Sequence, residues 1–275
     1  MAIFNPLRGL LVCVALAGLP AHAAGSERFA WPSGTMAAVS LAYDDGLASQ
    51  LDHALPALDR HGLKASFYLT LASDTVGARL DEWRAAARNG HELGNHSLFH
   101  QCAGSLPGRE WVQPHRDLER TSVAQMRDQV LLANSVLHAI DGRQERTLTV
   151  PCGDTRAADG NYLDAVAPAF VAIKLGQGGV TPSMAALDPL AVTVEVPDGA
   201  SGSQLIALVE EAGRRGTMVN FTFHGIGGDY LSVSTQAHDE LLAYLAAHRQ
   251  RYWVDTFLNL MKYVRSQQQP QVTRP

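Results

Sequence analysis

The sequence predicts one α/β domain, a distorted (β/α) barrel of about seven parallel strands. Three observations point there. Apolar, strand-like runs alternate with stretches of helical periodicity along nearly the whole chain. No linker-like interruption divides them. The chain has 275 residues, 46% apolar and 18% charged, enough for one large core and for seven or eight strand-helix units. At that count a closed or partly closed barrel is expected over an open sheet.

At the N-terminus, Arg8 precedes an apolar stretch from Gly9 to Leu19, followed by Pro20 and the small-residue sequence Ala21-His22-Ala23. That order is the pattern of a cleaved secretory signal. Residues 1–23 are therefore expected to be removed, leaving a mature domain over 24–275 in a secreted or periplasmic location. The apolar stretch is short for a bilayer span, which makes a retained anchor the lesser alternative. No later segment is apolar enough to cross a membrane, so no membrane association is expected after signal cleavage.

The elements then follow in order. Ala37 to Gly46, AAVSLAYDDG, is a strand that ends on two carboxylates and a glycine. Leu47, Leu51, Leu55 and Leu58 repeat at helical spacing, with Gly62 as the stop. Lys64 to Leu71 reads as a strand, Leu80 to Asn89 as a helix, and His91 to Asn95 as a brief strand leading into HSLFH. Asp117 to Ile140 is a long amphipathic helix, Arg146 to Pro151 a strand, and Tyr162 to Val166 a short helix. Ala169 to Lys174 and Ala191 to Val196 continue the strands. Ser201 caps a helix over Ser203 to Arg214, Gly216 to Phe223 is a strand, and Thr235 to His248 a helix. Tyr252 to Val254 and Asp255 to Ser266 form the last strand and helix.

A formal net charge of −5, with no run of Lys and Arg, leaves no footprint for nucleic acid. Chemistry is expected at the C-terminal lips of the strands, where repeated strand-helix folds place it. Asp44 and Asp45 sit at one such lip. Adjacent carboxylates repel unless a cation holds one ionised, which suits one metal ligand beside one proton acceptor. His96 and His100 are spaced i, i+4, and on a helical turn both imidazoles would face one ion. Two imidazoles and one carboxylate leave zinc an open position for water, the donor set of a hydrolytic site. Asp45 is the expected third ligand. Of the three cysteines, Cys13 leaves with the signal. Cys102 and Cys152 are expected to pair in an oxidising compartment, tying two active-site loops together.

These motifs resemble those of the polysaccharide deacetylases of carbohydrate esterase family four, over about residues 36 to 262. AYDDG at 42–46 is similar to the family's first motif, in which the first Asp is the general base and the second binds the metal. The resemblance thus implies Asp44 as base and Asp45 as ligand. NHSLFH at 95–100 resembles the second motif, implying His96 and His100 as the remaining ligands. The third motif matches loosely. Where the family has Arg, Pro and an aromatic residue, this chain has Thr149, Pro151 and Cys152. The arginine that orients the base is absent, with Arg146 and Arg156 as candidates to stand in. The backbone N–H of Cys152 keeps a place as oxyanion donor. The fourth motif has no clear counterpart, Asp198 being the weak candidate. The histidine of the fifth motif, the general acid, corresponds to His224 in VNFTFHGIGG.

The implied function is secreted, divalent-metal-dependent hydrolysis of acetyl groups, zinc being the expected metal. The expected partners are N-acetylated oligo- or polysaccharides such as chitin oligomers or peptidoglycan. Tyr43, Phe99, Trp111 and Tyr230 are candidates to touch a sugar ring, Tyr43 together with Cys152 being the expected substrate and oxyanion contacts. Two rival expectations stand beside this one: an O-acetyl esterase acting on xylan-type polysaccharides, and a sugar-binding relative that has lost turnover.

Overall fold

The structure is a computed structural model that describes residues 1–2 and 28–268. The expected signal segment, 1–23, lies outside the described residues but for its first two. Eight parallel strands form the main sheet: β1 (Ala37–Asp44), β2 (Ser66–Leu69), β3 (Glu92–Asn95), β4 (Thr147–Thr149), β7 (Ala172–Gln177), β8 (Val192–Val194), β9 (Met218–Phe223) and β10 (Tyr252–Asp255). A small antiparallel pair, β5 (Arg156–Ala157) and β6 (Gly160–Asn161), stands apart from it.

The order runs β1-β2-β3-β4-β7-β8, with β9 on the other side of β1. Glu195, just past β8, closes the ring. Its N–H donates to the Asn220 carbonyl at 2.8 Å and its carbonyl accepts from Thr222 at 2.8 Å. Seven strands thus make the barrel wall. The eighth, β10, pairs with the first half of β1, Ala37 to Ser40, whereas β2 pairs with its end, Ala42 to Asp44. The expected distorted seven-stranded barrel is what forms.

Strand alternation sorts the side chains into two environments. Val39, Leu41 and Tyr43 point outward, into a cluster with residues of the helices α1 (Leu55–His61), α3 (Leu80–Arg88), α6 (Gly202–Arg215) and α7 (Thr235–Ala247). Ala38 and Ala42 point into the lumen, packing with Tyr68, Ala172, Val192 and Met218. Phe257, Leu260, Met261 and Val264 of α8 (Phe257–Gln268) plug the lumen where the strands begin. A third cluster seats α4 (Val123–Asp141) and α5 (Leu163–Val166) against Leu148, Val150 and Ile173.

Most helix limits follow from local chemistry. Ser201 and Gln204 make a reciprocal capping box for α6, and Gly216, at φ 72°, ends it. The long helix begins at Val123 instead of Asp117. Asp117 instead accepts from the Glu119 N–H, capping a 3-10 turn at Leu118–Arg120, and Ser122 caps α4 itself. The strand expected from Ala169 starts three residues later because Ala167–Ala169 forms a 3-10 turn. A five-residue helix, α2 (Asp74–Ala78), has no counterpart in the expected series, and the helix expected from Leu47 to Gly62 includes a π-helical stretch, Gln50–Ala54, before α1. Among the described residues no helix is long and apolar enough to cross a membrane.

Candidate active site

The end of the barrel at which the strands finish carries the clustered ionisable groups. Asp44 is the last residue of β1 and, at 2% exposure, shares the inward parity of Ala38 and Ala42. Asp45 and Gly46 follow with φ of 77° and 71°, two left-handed residues in a row that swing the chain out of the strand. Position 46 needs glycine twice over. A Cβ there would lie 2.6 Å from Val76 Cγ2, and a side chain resists that φ.

His96 follows β3 directly. Its Nδ1 donates to the Thr149 carbonyl at 2.8 Å, and its Nε2 lies 3.3 Å from Asp45 Oδ1. His100 Nε2 reaches the same oxygen at 3.2 Å. The two rings meet with centroids 4.8 Å apart. They do so without the helical turn expected from their spacing, since Ser97 and His100 have φ of 64° and 53°. Side chains replace the helix here. Asn95 Oδ1 accepts from the Ser97 N–H at 2.7 Å and Ser97 Oγ from the His100 N–H at 3.0 Å. The Asn95 amide is in turn fixed to the Val130 carbonyl and Asn134 on α4.

Cys102 and Cys152 form a disulfide with Cα atoms 5.9 Å apart, and Cys102 Sγ lies 3.6 Å from His100 Nδ1. The expected bridge between the two loops is therefore present, beside a candidate ligand.

Asp45 Oδ2 faces the opposite wall. It accepts from the Tyr230 hydroxyl at 2.8 Å and lies 3.8 Å from His224 Nε2. His224 leaves β9 at Phe223, and its backbone carbonyl accepts from Gln50 Nε2 at 3.1 Å. The same Gln50 amide donates to the Asp44 carbonyl at 2.5 Å, so one side chain from the π-helical stretch ties the ends of β1 and β9 together. The glycines after His224 serve a tight loop. A Cβ on Gly225 would meet the Gly228 carbonyl oxygen at 2.0 Å.

The electrostatics divide the two carboxylates. Burial pushes Asp44 above its ordinary value, opposed by positive charge at His96, His224 and Lys174. Burial acts on Asp45 in the same direction but is outweighed by the His96 hydrogen bond and the charges of His100 and His96, which hold it well below the carboxylate range. His96 resists its own burial through Asp44 and Asp45 and rises to about 9. His100, buried and next to a charged His96, falls to about 4.

These residues fit a divalent cation. Ligand atoms of Asp45, His96 and His100 all lie within 4.8 Å of one another. One carboxylate and two imidazoles are a donor set for zinc or cobalt with positions left over. The Thr149 carbonyl and the Tyr230 hydroxyl orient two of the three ligands from behind, as outer partners of metal sites do.

Other expected residues fall elsewhere. Tyr43 is fully buried, its ring lying between Phe67 and Phe223 at 5.0 and 5.4 Å and its hydroxyl 2.6 Å from His238 Nε2. The alternation that turns Asp44 inward turns Tyr43 onto the helix layer, so it lies buried away from the site and not at the expected substrate contact. Arg146 is no stand-in for the missing arginine. It is buried in a bidentate pair with Asp141, at 2.6 and 2.7 Å, before the start of β4. Arg156 is exposed on β5, and Asp198 is exposed on the loop after β8. Trp111 and Phe99 do stand at the mouth, 53% and 42% exposed, Trp111 with its ring 6.2 Å from His100. Sequence reasoning missed Gln50, His238 and the fully buried Lys174, each an isolated residue without a motif around it.

The polysaccharide deacetylase family model matches residues 33–167. A gellan lyase from Bacillus sp. is 25% identical over 139 residues, which are 50% of this chain and only 5% of that protein's length. Solved structures share the fold. A putative polysaccharide deacetylase from Mycobacterium smegmatis superposes with a TM-score of 0.60 at 17% identity, over 89% of this chain and 96% of that one. The peptidoglycan deacetylase PdaC from Bacillus subtilis gives 0.52 at 17%, over 84% and 92%. A family 4 acetyl xylan esterase from Clostridium thermocellum, in complex with a cobalt ion, gives 0.51 at 20%, over 82% and 90%. The matched segment spans both the Asp44-Asp45 pair and the two site histidines, and over it the chain matches the polysaccharide deacetylase family.

Proposed function

We propose that this chain is an exported, metal-dependent hydrolase that removes acetyl groups from N-acetylated glycans such as chitin oligomers or peptidoglycan. One observation carries the reading. Asp45 Oδ1 lies 3.2 and 3.3 Å from two imidazole nitrogens, with a second carboxylate and a third histidine beside it.

Asp45, His96 and His100 would hold a divalent ion, zinc being the first candidate, which would supply Lewis-acid polarisation of the acetyl carbonyl and acidify water. Asp44, one residue from the ligand and with a free buried oxygen, takes the proton from the attacking water. Tyr230 holds Asp45 Oδ2, which leaves Oδ1 to the histidine side. As the C–O bond forms, the Cys152 N–H, on the turn after β4, donates to the carbonyl oxygen while it gains charge. His224 Nε2 gives a proton to the departing nitrogen as the C–N bond breaks, releasing acetate and a free amine. Trp111 and Phe99 at the mouth offer flat surfaces to pyranose rings.

A second reading, O-acetyl hydrolysis, is favoured by one observation: the Nδ1 of His224 is buried with no hydrogen-bond partner. An acid without a group to orient it suits an alkoxide, the better leaving group. The relatives include both a peptidoglycan deacetylase and an acetyl xylan esterase. Acetate release from chitin oligomers, peptidoglycan and acetylated xylan, by wild type and His224→Ala, separates the readings. Release from the N-acetylated substrates, lost by about 100-fold in the variant, is expected. Release from xylan alone favours the esterase. Protein that keeps its metal yet frees no acetate is a glycan-binding relative.

A further inference from the structure

Among the described residues, two basic side chains besides histidine are buried, Arg146 and Lys174. Arg146 has its carboxylate partner in Asp141, whereas Lys174 has none within 4.0 Å. The Lys174 ammonium finds one weak acceptor, the Phe221 carbonyl at 3.4 Å, and the faces of Tyr68 and Phe257 at 5.4 and 4.8 Å. An ammonium at 1% exposure is costly to keep without compensating negative charge nearby.

The barrel supplies that charge from the lumen. Ala172 lies in the lumen cluster and Ile173 in an outer one, so alternation sends Lys174 inward from β7. Asp44 enters the same lumen from β1, and its Oδ1 is buried with no hydrogen-bond partner. The other lumen carboxylate, Glu92, is already engaged by the Ser66 and Thr147 hydroxyls and the Leu258 N–H. Asp44 is left as the under-satisfied anion and Lys174 as the under-satisfied cation. Charge coupling between the two runs in the same sense: burial takes Lys174 down to about 8, and Asp44, ahead of Glu92, opposes that fall.

Register gives the placement its meaning. Thr149, which holds the place of the missing arginine, pairs with Lys174 on the neighbouring strand. The Val150 N–H donates to the Lys174 carbonyl at 3.1 Å. The cation absent from β4 is thus offered by β7 at the same level of the barrel.

We propose that Lys174 is a positioning residue for the reaction, its ammonium being the fixed counter-charge against which the Asp44 carboxylate is held. This rests on Asp44 being the base. The test combines Lys174→Met and Lys174→Arg, each alone and with Asp44→Asn, in the full metal-loaded chain. In turnover, Lys174→Met lowers kcat for acetate release at least tenfold with KM and metal content little changed, and Lys174→Arg restores part of the loss. In unfolding equilibria, Lys174→Met costs at least tenfold more with Asp44 present than in the Asp44→Asn background. Folding of the double variant when Lys174→Met alone fails to fold is the extreme form of that result.

A kcat within twofold of wild type, absence of coupling in the unfolding cycle, or loss of folding in both backgrounds overturns the assignment. The cycle needs no turnover. A wild type that releases no acetate therefore sinks the hydrolase reading, while the cycle still decides whether Lys174 and Asp44 are paired.

Discussion

The Cys102–Cys152 bridge offers a prediction whose size follows from topology. The two cysteines are 50 residues apart, and between them lie the 103–122 segment, all of α4 and β4. Cross-linking a loop of that length removes about 14 cal/mol/K of entropy from the unfolded chain, or about 4 kcal/mol at room temperature. For a domain of this size each kcal/mol moves the melting point by about 2–4 °C. Replacing both cysteines by serine should therefore lower Tm by about 8–16 °C. The loss reaches the site as well, because Cys102 is two residues from His100 and its sulfur touches the ring at 3.6 Å. Thermal unfolding followed by circular dichroism, on chelated and on zinc-loaded protein, measures both effects. A double serine variant that melts within about 2 °C of wild type would show that the bridge does not stabilise the fold in this way.

Other expectations bear on the site itself. Asp44→Asn should cut kcat by about 100- to 10,000-fold while metal content, read by elemental analysis, stays at one ion per chain. Tyr230→Phe removes the donor to Asp45 Oδ2 and should weaken zinc affinity about tenfold in a competition titration against a chelating dye. In metal-free protein the stabilisation due to His96 should fade as pH rises. His96 is raised from 6.5 to about 9, so its contribution is complete below the unfolded value and fades as pH climbs through the folded one. His100 and His238, both down to about 4, and Lys174, down to about 8, act in the opposite sense over the same span, so the comparison is with a His96→Gln variant. Denaturant titrations should show the margin of wild type over that variant shrinking by about 2 kcal/mol between pH 6.5 and 8. A margin that stays flat or grows over that span would contradict the sign.

The fold was legible because its signal is spread over many residues. Each strand run and each amphipathic helix repeats the same pattern, and capping pairs such as Ser201 with Gln204 mark the limits. What escaped was short or locally overridden: α2, with five residues, where no periodicity can accumulate, and the π-helical winding of Gln50–Ala54 inside the helix that the leucine spacing predicts. The site was legible where chemistry is compressed into a few neighbours, as in Asp44-Asp45 and His96…His100. Even there the spacing misled about the backbone, because Asn95 and Ser97 side chains build a loop where four-residue spacing suggests a helical turn. Tyr43 shows the opposite failure. It neighbours the key carboxylates in sequence, yet strand alternation separates it from them by the thickness of the sheet. Lys174 was invisible for a related reason. A lone lysine in AIKLGQ reads as a solvated strand end, and only barrel closure reveals that it points into the lumen.

Anomalous diffraction from crystals grown with zinc would locate the ion at the barrel mouth. One peak is expected, about 2.0–2.2 Å from Asp45 Oδ1, His96 Nε2 and His100 Nε2 together, and no peak there in an Asp45→Ala variant. A zinc peak at other residues, or none in wild type, would contradict that placement.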